Sequence, residues 1–151
     1  MKKQIEYQNE QNSLDKIEKF EKTFCLLTAS YWEFGVGVQK VCETLLNPVN
    51  DIPITVFQRE YFSSILISIS DAAKISMLMV NNDYIPKEIF SQYLVAKNRF
   101  DICMNTIPEL VEDLRNNKNI NPFLVENLDK LAKEITRIFE EIDNFRYEIV
   151  A

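Results

Sequence analysis

The side chains with most scope for chemistry gather in one short run, "KNRFDICMN" at 97–105, where Lys97, Asn98, Arg99, Asp101 and Asn105 surround Phe100. A second set, Arg59, Glu60, Asp71 and Lys74, interrupts an otherwise apolar stretch. If the two stretches are neighbours in space, Arg59, Asp71, Lys74, Asn98, Arg99, Asp101 and Asn105 line a polar cleft able to bind or act on RNA. The plainer reading is a set of surface and inter-helix salt bridges, individually worth little. The chain has no histidine. That removes the commonest general base, the usual zinc ligand and the Glu-x-x-His pairs of di-iron bundles. Carboxylate pairs such as Glu140 with Glu141, or Glu112 with Asp113, fall on polar helix faces and read as solvated charge. The only two glycines, in "FGVGVQK", have neither glycine-rich phosphate-binding spacing. No pattern calls for a metal or a cofactor.

The HEPN ribonucleases are four-helix chains with an Arg-Asn pair followed by a histidine. Here the order is Asn98-Arg99, and Asn105 stands where the histidine would be. The resemblance therefore stops short of the catalytic residue.

Three cysteines, Cys25, Cys42 and Cys103, match no metal or redox spacing and have no basic neighbour that would make a reactive thiolate. Cys25 and Cys42 share one predicted helix, which separates them by roughly 25 Å, well beyond disulfide reach. Free thiols point to a cytoplasmic protein. The opening "MKKQIEYQNEQN" lacks the apolar stretch of a secretory signal. No segment is apolar enough to span a membrane, since the best candidate, from Ser63 to Val80, contains Asp71 and Lys74. The net charge of -6 and the dispersed basic residues make nucleic acid an unlikely partner.

The elements that must position these residues are long helices. Length (151 residues) and composition (46% hydrophobic, 26% charged) fit one globular domain. Three Asn/Pro stretches, "NPVNDIP" at 47–53, "NNDYIP" at 81–86 and "NNKNINP" at 116–122, read as turns. They divide the chain, after a polar N-terminal tail at 1–12, into four segments within a domain at 13–151.

The first segment carries Ile17, Phe20, Phe24, Leu27, Tyr31, Phe34, Val38, Val41 and Leu45 at steps of three and four. The fourth repeats the rhythm from Leu124 to Ile149, behind an Asn121-Pro122 start suited to a capped first turn. The third, from Pro86 to Arg115, keeps its apolar phase through Pro108 and is expected to be one kinked helix. The second opens on "TVFQ", a capping box, and is apolar around most of its circumference, which predicts the deepest burial of the four. Segments of this length joined by short turns predict an all-α, up-down-up-down four-helix bundle.

Gly35 and Gly37 flank the seam residue Val38, and other flanking positions, including Ser30, are also small. Helix-interior glycine costs about 1 kcal/mol against alanine, so close approach of a neighbouring backbone is the expected compensation. The line Ser64, Ser68, Ala72 in the second segment is the expected complement. A small-ligand pocket beside the glycines is the alternative.

Opposite the seam, Cys25, Ala29, Trp32 and Val36 align at helical spacing with Leu26 beside them. This apolar stripe is either covered within the monomer or an interface, and tryptophan is a favoured interface anchor. The leading functional expectation is a non-enzymatic interaction module, a small regulator, adaptor or assembly subunit, dimerising through its first helix or docking a protein partner. The alternatives are the RNA-directed polar cleft and the ligand sensor.

Overall fold

A computed structural model describes residues 2–47 and 53–150, with no side-chain description at 149 and 150. The described residues form four helical rods. The first comprises α1 (Lys2–Leu27), a π-helical segment (Thr28–Glu33) and α2 (Phe34–Leu46), continuous with one another. The others are α3 (Val56–Leu78), α4 (Phe90–Arg115) and α5 (Pro122–Val150). Two 3-10 turns, Asn82–Tyr84 and Lys87–Ile89, connect α3 to α4. Of the first expected turn, residues 48–52 lie outside the described residues.

Local chemistry sets the boundaries. Thr55 and Gln58 close the capping box of α3: the Thr55 hydroxyl accepts the Gln58 N–H at 3.1 Å, and the Thr55 N–H donates to Gln58 Oε1 at 2.9 Å. Asn121 Oδ1 accepts the Phe123 N–H at 3.0 Å, capping α5. After α4 the chain reverses through Asn117 at φ 53°, the left-handed geometry that asparagine tolerates. Pro108 lies inside α4, which runs through it as one helix.

The bundle is antiparallel. α5 packs most extensively on α2 and α4, and α3 packs on α4, on α2 and on the π-helical segment. The expected seam holds: Phe20, Phe24, Leu27, Tyr31, Phe34, Val38 and Val41 are all buried. They meet Phe100, Cys103, Ile107 and Leu110 from α4 and Leu128, Ile135, Ile138 and Ile142 from α5. The Phe34 and Phe100 rings stand edge to face at 5.1 Å, and the buried Tyr31 hydroxyl donates to the Tyr93 carbonyl at 3.2 Å. A polar atom at the centre of the core is thereby satisfied.

Three expectations are corrected. Residues 2–12 are helical and carry α1 back beyond its expected start near Ser13, because a lysine, glutamine and glutamate run has good helix propensity once the helix below it is nucleated. The first rod changes winding at 28–33. There the Thr28 and Ser30 hydroxyls donate to the Phe24 and Leu26 carbonyls, occupying acceptors that the backbone would otherwise use alone. Finally, α3 is not the most deeply buried helix. Its buried residues are Phe62, Ser63, Leu66 and Ala73 only, because only its inner stripe meets α4 and the first rod.

Candidate interaction surface

The polar residues singled out by type do not converge. Arg99 turns to α5, where its Nε donates to Glu134 Oε2 at 2.8 Å while Nη1 donates to Asn98 Oδ1 at 2.7 Å. Asp101 and Asn105 are exposed further along α4. Arg59 instead secures the turn between α4 and α5: its Nη1 donates to the Lys118 carbonyl at 2.9 Å and to the Asp113 carbonyl at 3.3 Å. Asp71 and Lys74 line a 480 Å³ groove between α3 and α4, with Ile107, Pro108 and Arg115 opposite. A single cleft containing Arg59, Asp71, Lys74, Asn98, Arg99, Asp101 and Asn105 is therefore absent. Helical spacing shows which residues share an element, but here the charges of α4 leave it towards a different neighbour from those of α3.

The glycines are close-packing positions, as expected, with different partners from those expected. A Cβ on Gly35 would lie 2.5 Å from Thr136 Cγ2 and 3.2 Å from the Ala132 carbonyl oxygen, so α2 and α5 approach closely there. A Cβ on Gly37 would meet Ile69 Cδ1 at 3.1 Å on α3. Ser30 is buried as expected, its hydroxyl satisfied by the Leu26 carbonyl. Thr136 and Ile69 occupy the space directly beside the glycines. Ser64, Ser68 and Ala72 are exposed and meet neither glycine.

The stripe on the first rod is divided. Trp32 lies within the π-helical segment and sets its ring 5.8 Å from that of Phe139, which in turn stacks on Phe24 at 5.3 Å. A π-helical segment turns less per residue than an α-helix, which carries Trp32 from the outer side towards α5. It remains 36% exposed. Leu26, Ala29 and Val36 are half-buried, and Cys25 is exposed. Cys42 and Cys103 are buried, and burial pushes each thiol up to about 12.

Several exposed large apolar residues lie on the outside of α3. Phe57 is 84% exposed, and Tyr61, Ile75, Leu78 and Met79 are likewise open, with the exposed Ser64, Ser68 and Ala72 between them. Phe57, Tyr61, Ser64, Ser68, Asp71, Ile75 and Leu78 recur at steps of four and three, a heptad seam on the side away from the core. Sequence reasoning missed it although its signal was present. A helix apolar on two opposite faces reads as buried all round, and the second seam was absorbed into that reading.

Among the described residues, no helix is long and apolar enough to cross a membrane. Compared with protein families, with characterised proteins and with solved structures, the chain finds no match.

Proposed function

We propose that this chain is a non-enzymatic helical-bundle interaction module, a small regulator, adaptor or assembly subunit whose docking surface is the outer face of α3. The observation that carries this reading is the exposed seam from Phe57 to Met79. Isolated exposed apolar residues are ordinary on a folded surface, but here exposed apolar groups at both ends of one helix face, Phe57 and Tyr61 at one and Ile75, Leu78 and Met79 at the other, flank a middle of small and polar residues, a pattern that favours a contact site. Helices dock through apolar residues at such spacing, and aromatic residues such as Phe57 and Tyr61 make effective anchors. The first-rod stripe contributes less than expected, since Phe139 already covers part of Trp32. An RNA-directed activity loses its support where Arg99 is held by Glu134, away from Asp71 and Lys74.

The test is affinity capture from native lysate with tagged wild type, Leu78→Glu and Trp32→Glu, each checked by circular dichroism. Leu78→Glu is expected to lose the captured protein, whether self or another chain, and Trp32→Glu to retain it. The same captured set with all three proteins would overturn the α3 surface.

A further inference from the structure

We propose that the occupant of the α3 face is the α3 face of a second copy of this chain, packed antiparallel about a two-fold axis passing near residues 66 and 67. This rests on the interaction-module reading above and names its partner. An isologous contact requires a surface that is complementary to itself when reversed, and this one is. Large apolar residues stand at both ends, Phe57 and Tyr61 at one and Ile75 and Leu78 at the other, while the middle is small, with Ser64, Ser68 and Ala72. Reversing one helix on the other sets Phe57 against Ile75 of the second copy and Ser64 against Ser68. Small side chains at the crossing let the backbones approach while the larger ones interlock on either side.

Charge fixes the same register independently. With Tyr61, Ser68 and Ile75 as the a positions of the heptad, Glu60 and Lys74 both fall at g. In an antiparallel pair, g residues of one helix lie beside g residues of the other. The axis that pairs Phe57 with Ile75 brings Glu60 of each copy beside Lys74 of the other, twice by symmetry. The same axis places Tyr61 opposite Asp71, a carboxylate within reach of a phenol hydroxyl. A parallel arrangement would instead set each g residue beside an e residue, Glu60 beside Ile65 and Lys74 beside Met79, and form no such charge pair. Both groups are available on the surface. Lys74 and Asp71 form no ion pair among the described residues, and Glu60 has only a 3.4 Å contact to a half-exposed Arg115. A single helix face falls short of the ~800 Å² per partner of a typical stable interface, so the association is concentration-dependent.

Sedimentation velocity of the full chain from micromolar to millimolar concentration tests this, with circular dichroism as the folding control. Wild type is expected to move from monomer to dimer, and Phe57→Glu to weaken dimerisation about tenfold or more. Glu60→Lys and Lys74→Glu are each expected to weaken it by roughly threefold at low salt, and the double variant to restore it, with these charge effects fading in 1 M salt. A chain that stays monomeric throughout overturns the inference; capture that still depends on Leu78 would then leave the interaction reading standing with another partner. Dimerisation indifferent to Phe57→Glu, or a double reversal without restoration, also overturns it.

Discussion

Gly35 and Gly37 are two residues apart on one helix and invite opposite outcomes on replacement by alanine. At Gly35 the added methyl would collide with Thr136 Cγ2, an atom fixed to a β-branched side chain, and press on the Ala132 carbonyl. Gly35→Ala is expected to destabilise the fold by about 1–3 kcal/mol, since overpacking outweighs the gain in helix propensity. At Gly37 the obstacle is the terminal methyl of Ile69, which can move aside. Gly37→Ala is expected to be neutral or stabilising by up to about 1 kcal/mol. Urea unfolding of both variants checks the pair.

The thiols separate in the same way. Cys25 is exposed while Cys42 and Cys103 are buried, so one cysteine per chain should react with a thiol reagent in the native protein and three after unfolding. For the buried pair, burial raises the folded-state value from 9.0 to about 12. The folded state thus holds these protons more tightly than the unfolded chain. Their contribution is fully present below pH 9 and is lost as pH rises from there through about 12. Melting temperature against pH is expected to fall across that window.

At the scale of elements, the apolar seams of the first, third and fourth segments were legible because most of their periodic residues meet partners inside the bundle. The capping residues Thr55 and Asn121 were legible for a different reason: a cap acts within one turn and needs no tertiary partner. The N-terminal stretch shows the limit of such local signals. Residues 2–16 are helical yet exposed on every side, including Ile5 and Leu14, so their helicity is inherited from the packed turns that follow. Removing residues 1–12 is therefore expected to lower helix content measured by circular dichroism while changing unfolding free energy by less than about 1 kcal/mol. A large loss of stability would show that this extension is packed after all.

Across the whole molecule, burial is uneven. α4 and α5 carry apolar residues into the centre along most of their lengths, whereas α3 contributes an inner stripe of four buried residues and holds an apolar row outward. Native-state hydrogen exchange is expected to find the α3 amides exchanging faster than those of α4 and α5 in dilute protein, because local opening costs least where least apolar surface is buried. Uniform protection across the four rods would contradict this.

Periodicity and turn chemistry were sufficient for the architecture. A seam at steps of three and four requires a partner somewhere, and four such segments joined by short turns have few ways to find one. Which apolar faces stay open depended on how each rod is packed in the bundle. A helix apolar on two faces is compatible with deep burial or with one face packed and one open, and only the tertiary packing of each face distinguishes them. The residue types in "KNRFDICMN" were equally open: Arg99 finds its carboxylate on α5, not on α3, because side chains radiate from a helix and each direction meets a different rod. Composition and spacing determined what the helices are. Tertiary placement decided which of their faces remain available.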